Sequence, residues 1–401
     1  MNLVVQKYGG TSVGTIEKMR DVVERIIAKK EQGNNVVVVV SAMGKTTDTL
    51  IKMAKEITEN PCKREMDVLL STGEQVSIAL ISMILKERGY DSVSFTGLQA
   101  GIITEGQHMK NKISDINTSN IEESLQDGKV VVVAGFQGVN ERGEITTLGR
   151  GGSDTTAVAL AAKLKGACEI YTDVEGIYTV DPREYNQAKK LRHISYEEML
   201  EMSSLGAGVM ETRAIEIAYK FNVPIYVASS SNNTVGTWIK ERDVKMEDKV
   251  ITGLTINEDI IMVTVNNVKY CIENIALIFG KLGDHNINVD MISQSAPNNG
   301  QVNISFTISK EDIYTIKEVI NELYEELKSV NIDLVYDIIK VSVVGIGMMN
   351  ASGVAARVFK VFAKDQIDFK QVTTSEISIS YTIDKRNKEK AVLALSKEFE
   401  L

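Results

Sequence analysis

Val36–Val40 is an unbroken run of five valines, and few folds accept it. β-Branched side chains suit a pleated backbone. A strand that is apolar on both pleat faces must be covered on both sides, as in the centre of a sheet held between helix layers. Other short runs that read as strands lie at Leu3–Gln6, Ser92–Thr96, Val130–Ala134, Glu169–Thr172 and Pro224–Ala228. Between them lie amphipathic stretches, among them Ile16–Lys30, Glu74–Arg88 and Ser153–Leu164. This alternation predicts an open α/β sheet, parallel at least in its centre. Such sheets bind ligands beyond the carboxyl ends of their strands, so the segments after each strand are the places to look for chemistry.

The texture changes near residue 240. KERDVKMEDK (Lys240–Lys249) is charge-rich without a core pattern and reads as a linker. Beyond it, Ala276–Ser295 aligns without gaps on Ala356–Ser375, an offset of about 80 positions. Ala276/Ala356, Phe279/Phe359, Ile287/Ile367 and Ser295/Ser375 are identical, and Ile278/Val358, Leu282/Phe362, Val289/Phe369 and Ile292/Val372 stay apolar. Each copy has a strand before it, a helix within it and a strand starting near Ile287 or Ile367. The unit is too long for a solenoid, so a pair of small βαββαβ modules is expected.

At 401 residues the chain exceeds what one core organises. A net charge of −9 argues against a nucleic-acid partner, which calls for a basic face. Cys62, Cys168 and Cys271 are far apart, as are His108, His193 and His285. That spacing suits neither a disulfide framework nor a zinc site, so any metal would be a hard cation held by oxygens. The N-terminus lacks a signal-peptide pattern, and no apolar run reads as approaching the roughly 20 residues of a membrane helix. The cytoplasm is the expected compartment, without a membrane partner.

Five polar, glycine-rich stretches follow strands. QKYGGTSVG (Gln6–Gly14) fits neither GxGxxG nor GxxxxGK[ST]. Its Gly9-Gly10 pair, placed between a strand and a helix, presents backbone amides suited to an anion; Lys7 adds a point charge suited to phosphate. TLGRGGSDTTAVALAA (Thr147–Ala162) sets Arg150, Gly151, Gly152, Ser153 and Asp154 before an alanine-rich helix. Ser153 or Asp154 can serve as an N-cap, but that leaves Arg150 unexplained, and a guanidinium recognises a carboxylate in bidentate fashion. An acid beside a phosphate chain can hold Mg²⁺ or orient nearby cations. VSAMGKTTDTL (Val40–Leu50), LLSTGEQVS (Leu69–Ser77), in which Glu74 is expected to start a helix, and YTDVEGIYTVDPR (Tyr171–Arg183) complete the set. Each has an ordinary explanation alone, as a cap, a surface loop or a dipole-stabilised acid. The fold would bring all five together.

In this order, KYGGTSVG, SAMGKTTD, STGEQVS, TTLGRGGSDTTA and YTDVEGIYTVDPR resemble the motifs of the aspartokinases in the amino acid kinase superfamily, and the C-terminal duplication resembles their paired ACT domains. The resemblance implies a three-layer αβα kinase domain at 1–240, a linker at 241–255, and ferredoxin-like ACT modules at 256–335 and 336–401, with interleaving of the two left open. It implies ATP-dependent phosphorylation of the L-aspartate side-chain carboxylate to 4-phospho-L-aspartate, the entry to lysine, threonine and methionine, with Mg²⁺ as cofactor. By motif position, Lys7 stabilises the phosphoryl group in flight, Asp154 orients that lysine, and Gly9 and Gly10 offer amides to the phosphates. Arg150 holds an aspartate carboxylate and Glu74 its ammonium, with Ser41, Thr47, Phe136, Gly151, Gly152 and Ser153 completing the pocket; Thr172, Asp173, Tyr178 and Arg183 frame the nucleotide. The division suits phosphoryl transfer, which needs positioning and charge stabilisation and no general base, because the attacking carboxylate is already ionised.

One departure stands out. Family members carry a nucleotide-site lysine in GAKV where this chain reads LGAGVMETRA (Leu205–Ala214), with Gly208 in its place. The ACT resemblance places an effector amino acid, lysine alone or with threonine, near Asn274 and Ile275 and beside Asn288, Val289 and Asp290, expected on the following strand. TTSE (Thr373–Glu376) resembles a stretch of ACT pairing interfaces. A homodimer or a dimer of dimers is expected from such modules. A non-catalytic amino-acid sensor is opposed by intact Lys7, Arg150 and Asp154. A kinase for glutamate, acetylglutamate or a nucleotide is opposed by KYGGTSVG and the tandem modules.

Overall fold

The computed structural model describes residues 2–242, 249–327 and 330–401; residues 243–248 of the expected linker lie outside this set. The chain forms two compact units. Residues 2–177, 190–203 and 208–242 make the first; 178–189, 204–207 and the described part of 249–401 make the second.

In the first unit, β1 (Leu3–Tyr8), α1 (Ile16–Glu31), β2 (Asn35–Val40), α2 (Thr46–Ile57), α3 (Lys63–Glu87) and β3 (Ser92–Phe95) are followed by β4 (Ile102–Glu105), β5 (Lys112–Ile116), α4 (Ser119–Gln126), β6 (Val130–Ala134), β7 (Gln137–Val139) and β8 (Ile145–Thr147). Then come α5 (Gly152–Leu164), β9 (Ala167–Thr172), β10 (His193–Ser195), α6 (Tyr196–Ser204), α7 (Thr212–Phe221), β11 (Ile225–Ser229) and β12 (Thr237–Lys240). An eight-stranded sheet runs β10-β12-β11-β9-β1-β2-β6-β3. Its stretch from β11 to β3 is parallel throughout and consists of the six strands predicted from sequence. Val36, Val38 and Val40 pack with Val22, Val23 and Ile26 of α1 and Ile78, Ile81 and Leu85 of α3. Val37 and Val39, equally buried, take the opposite pleat face, where α5 packs on β1, β2 and β9.

Four features of this unit depart from the sequence reading. β1 continues through Lys7 and Tyr8, so Lys7 is held by a parallel ladder rather than by a turn. A second sheet, β5-β4-β7-β8, flanks the main one; its strands are short and β5 is mostly exposed, which erases the apolar signal. Finally, α3 starts at Lys63, and Glu74 stands in its middle instead of at its start. Gly73 sits in the helix interior because a Cβ there would come within 2.8 Å of the Ala42 Cβ. α3 is also long and apolar enough, by length and composition, to cross a membrane, contrary to the sequence reading. It buries Asp67, Ser71, Glu74 and Ser77 along with its apolar residues, which is the pattern of a core helix carrying function.

The second unit contains β13 (Gly253–Asn257), β14 (Ile260–Lys269), α8 (Ile272–Asp284), β15 (Ile292–Gln294), β16 (Gln301–Ser309), α9 (Ile313–Glu326), β17 (Asn331–Val335), β18 (Ile338–Val344), α10 (Val354–Lys364), β19 (Phe369–Thr374), β20 (Ser378–Asp384) and α11 (Lys388–Glu398). Two four-stranded sheets result, β15-β16-β14-β17 and β13-β18-β20-β19. The aligned positions occupy matching cores: Ile278, Leu282 and Ile287 in one, Val358, Phe362 and Ile367 in the other. The second module takes its fourth strand from upstream of the first, because β13 pairs antiparallel with β18. Residues 253–255, assigned from sequence to a linker, therefore belong to this sheet, and Leu254 is buried among Val341, Val343 and Tyr381. Residues 178–189 join the same unit: Val180 and Tyr185 enter that core, and the Thr179 carbonyl accepts from Leu254 N at 2.8 Å.

Candidate active site

The parallel ladder brings the carboxyl ends of β1, β2 and β6 side by side, and their following loops enclose a cleft of about 290 Å³. Lys7 projects from β1 and forms an ion pair with Asp154 at 2.6 Å, both side chains nearly buried. Asp154 lies in the first turn of α5, whose approach is a tight loop with Gly149 and Gly151 at φ 80° and 66°. Only glycine takes that backbone without strain. A Cβ on Gly151 would also meet the Glu211 carboxylate at 2.5 Å. Glu211 itself is pushed above the usual carboxylate range by burial and by the charge of Asp154.

The opening loop is glycine-rich because two loops touch there. Gly44 N donates to Gly10 O at 2.9 Å, and a Cβ on Gly10 would stand 2.8 Å from Ala42 O. Gly9 N donates to Tyr171 O of β9 at 3.3 Å, fixing the turn against the strand that carries Thr172. The result is a tight glycine turn between β1 and α1 with an ammonium beside it, a place where a phosphate chain can come close to backbone.

The other wall carries a buried acid and an arginine. Glu74 points from α3 into the cleft, is 3% exposed, and accepts from Ala42 N at 3.0 Å through Oε1; its Oε2 has no partner. Burial raises its pKa to about 7. A buried acid with an unpartnered oxygen awaits a donor. Arg150 lies on the rim of the same cleft, with Ser41 and Thr47 adding hydroxyls and Gly152 and Ser153 adding the helix start. Phe136 completes the lining and holds a left-handed backbone, φ 70°, that is costly for a bulky residue. Its amide is capped by Thr156 Oγ1 at 3.1 Å and its carbonyl accepts from Leu148 N at 2.9 Å.

Thus Lys7, Gly10, Ser41, Thr47, Glu74, Phe136, Arg150 and Gly151–Asp154 converge, and Gly9 adjoins them. Thr172 ends β9 and Asp173 follows it, the two hydrogen-bonded to each other at 3.1 Å and outside the cleft lining. Tyr178 and Arg183 belong to the second unit, where the Arg183 guanidinium is held by Asp181 at 2.6 Å. Gly208 is exposed, and a side chain there would meet nothing within 4 Å.

In the ACT modules, Asn274 and Ile275 open α8; Asn274 Nδ2 donates to Lys269 O at 3.0 Å and Ile275 packs on the module's core. Asn288, Val289 and Asp290 precede β15 rather than lying on it, although Asp290 N donates to Thr307 O of β16 at 3.0 Å. The Asp290 carboxylate is exposed but not unpaired: it forms a hydrogen-bonded ion pair with the buried Lys340 of β18. Gln371 of β19 donates to Ser293 Oγ at 3.0 Å, so the two modules face each other across these strands.

Sequence reasoning missed the groups that hold the loops, chiefly Asp67, Thr147 and Arg213. Asp67 precedes Glu74 by two helical turns, so it was legible only once α3 was known to begin at Lys63.

A glycine turn with a lysine–aspartate pair, facing a buried acid and an arginine at the carboxyl edge of a parallel sheet, defines a small-molecule kinase fused to paired ACT modules. The amino acid kinase family matches residues 2–229, and an ACT domain family matches 266–327 and 341–399. The aspartokinase of Geobacillus stearothermophilus is 50% identical over all of this chain and 98% of its own length; aspartokinase 2 of Bacillus subtilis is 48% identical over the same shares. Among solved structures, Escherichia coli aspartokinase III in its R-state superposes with a TM-score of 0.82 over both full chains at 24% identity. Aspartate kinase from Synechocystis superposes at 0.56, with 41% identity over all of this chain and 69% of its own. The chain belongs to the aspartokinases.

Proposed function

We propose that the cleft transfers the γ-phosphoryl group of ATP to the side-chain carboxylate of L-aspartate, giving 4-phospho-L-aspartate and ADP. The observation that carries this reading is the pairing of two opposed subsites in one cleft, Lys7–Asp154 with the glycine turn and Arg150 with the unpartnered Glu74. A carboxylate oxygen of aspartate attacks the γ-phosphorus; the new O–P bond forms as the bond to the β-phosphate oxygen of ADP breaks. Lys7 Nζ meets the charge on the transferred group, Asp154 holds Nζ in place, and the Gly10 amide binds the chain; the Gly9 amide, expected from sequence to do the same, is instead given to Tyr171 O. Arg150 fixes the substrate's α-carboxylate and Glu74 its ammonium. No proton has to move, since the nucleophile is ionised at neutral pH. The Asp154 carboxylate and the Ser41 and Thr47 hydroxyls are hard oxygen donors of the kind Mg²⁺ accepts, and the metal, arriving with ATP, neutralises phosphate charge. Formation of aspartyl hydroxamate with ATP, Mg²⁺ and hydroxylamine tests the reaction. No product at saturating ATP would leave only an amino-acid sensor.

The nucleotide side carries a further expected result. Gly208 replaces a cation by open space, and its backbone does not need glycine. Gly208→Lys is expected to lower the KM for ATP severalfold, an interaction with phosphate being worth about 1 kcal/mol or more; an unchanged or higher KM rejects this account of the substitution. Thr172 and Asp173 are proposed to border the adenosine.

Regulation is proposed to run through the ACT modules, with lysine as inhibitor, alone or with threonine. Escherichia coli aspartokinase III has also been solved with lysine and aspartate, in a T-state. Asn274, Ile275, Asn288, Val289 and Asp290 would form the effector site. Since Asp290 holds Lys340, an effector ammonium has to take over that carboxylate. Asp290→Ala is therefore expected to weaken lysine inhibition about tenfold or more at unchanged kcat, read from initial rates against lysine. Undiminished inhibition would move the site elsewhere. The modules are also proposed to pair between chains, as a dimer or a dimer of dimers, and the enzyme to act in the cytoplasm at the head of lysine, threonine and methionine synthesis.

A further inference from the structure

Asp67 is fully buried on α3, outside the cleft lining, and its carboxylate is engaged by the framework behind Arg150. It accepts from Thr147 Oγ1 at 2.5 Å and from Met109 N at 3.0 Å, and pairs with His108 Nδ1 at 2.6 Å. Thr147 ends β8 three residues before Arg150. Its carbonyl accepts from Asn111 N at 3.1 Å, closing residues 108–111 onto the same strand end. Arg213 of α7 holds the assembly from the other side, donating to Leu148 O at 2.7 Å and Asn111 O at 3.0 Å. Met109, with φ 73°, is held in a strained left-handed conformation, and its carbonyl lies 3.1 Å from where a Cβ on Gly149 would stand. Strain of this kind persists where the surroundings over-determine it.

One rigid helix thus carries two acids with different duties. Glu74 lies two turns along α3 from Asp67, on the same face. Glu74 enters the amino-acid subsite directly; Asp67 fixes the strand end from which the Arg150 loop springs. We infer that Asp67 is a positioning residue for the amino-acid substrate: through Thr147 and Met109 it sets the separation between Glu74 and Arg150, and so the length of amino acid that fits between them. This rests on the assignment of Arg150 and Glu74 to the substrate's carboxylate and ammonium.

Asp67→Asn keeps the shape and one acceptor but removes the charge. It is expected to raise the KM for aspartate about tenfold or more, since small misplacements of a positioning group are costly. The KM for ATP should stay within about twofold and kcat at saturating aspartate within about threefold. The preference for aspartate over glutamate, measured as the ratio of kcat/KM values, should narrow. A residue that merely supported the fold would lower Tm and move both KM values together, or neither, and either outcome overturns the inference. Thr147→Val and Thr147→Ser decide the matter if Asp67→Asn does not fold: the valine variant should raise the aspartate KM severalfold and the serine variant restore it, and equal behaviour of the two overturns the inference. Arg150→Ala, run in parallel, separates the two ideas. A flat aspartate KM there rejects the Arg150 assignment, whereas a raised KM in Arg150→Ala with a flat one in Asp67→Asn rejects only the role of Asp67.

Discussion

Lys7→Ala is expected to lower kcat by a factor on the order of a hundred to a thousand, the loss seen when one preorganised donor to a transition-state charge is removed. Lys7 is the cation fixed most rigidly in the cleft. It projects from a central strand flanked on both sides by parallel partners, and Asp154 pins its Nζ at 2.6 Å. Because the lysine is already oriented, nothing reorganises as negative charge shifts onto the transferred group. The KM for aspartate should change little, since Arg150 and Glu74 stand on the opposite wall. Asp154→Asn should cost less in kcat than Lys7→Ala, because an amide can still accept from the ammonium while losing its charge. Steady-state ADP release with aspartate and ATP varied independently measures both. Turnover within tenfold of the parent in Lys7→Ala would remove the lysine from the reaction, and a larger loss from Asp154→Asn would give the aspartate a direct role.

The second large effect concerns Glu74 and pH. Burial raises its carboxyl from 4.5 to about 7, so in the free enzyme near neutrality it is about half protonated. On the proposed assignment aspartate needs the ionised form, whose charge meets the substrate's ammonium. Below pH 7, binding must first expel a proton, and kcat/KM for aspartate is expected to fall with a slope approaching one per pH unit. Glu74→Gln should flatten that dependence and raise the aspartate KM on the order of a hundredfold at pH 8, the cost of losing one partner of a desolvated charge pair. The same acid costs stability. Between pH 4.5 and 7 the unfolded chain releases this proton while the folded protein keeps it, so the folded state binds more protons and stability falls as pH rises through that window, then levels off. The shift corresponds to about 3 kcal/mol, so Glu74→Gln should be more stable than the parent at pH 8 and nearly equal to it at pH 4.5. Urea unfolding at the two pH values reads this directly; no gain at pH 8 would show that Glu74 is already ionised in the free protein.

Much of the site was legible because its chemistry sits on strand ends. The central strands announce themselves as short, largely apolar runs between amphipathic stretches, Val36–Val40 being apolar on both faces, and the parallel topology they force brings their following loops together. Lys7, Arg150, Asp154 and the glycines around them could be nominated on that basis. Glu74 was found for an incomplete reason: the run from Ser71 to Gln75 looks like a helix start, while Gly73 in fact marks a close approach to Ala42 inside a longer helix. Asp67 and Arg213 were illegible, since each holds groups distant in the chain, Asp67 accepting from Thr147 Oγ1 and Met109 N and Arg213 donating to the Leu148 and Asn111 carbonyls, and such service leaves no mark on a residue's neighbours.

The regulatory half shows the same division. Repetition of core positions around Phe279 and Phe359 foretold two like modules, but not that β13 supplies the second module's outer strand or that residues 178–189 enter its core. Asp290 read as an acid free to meet an effector; Lys340, on a strand of the other module, holds it. What the amino-acid sequence determined by itself was everything governed by local periodicity and backbone need: the central strands, the amphipathic helices, the glycine turns and the duplication. The tertiary structure decided which strand completes which sheet, how Glu74 comes to be half protonated near neutral pH, and which buried charges hold the Arg150 loop. Those are set by burial and long-range pairing, and both exist only once distant segments have been packed together.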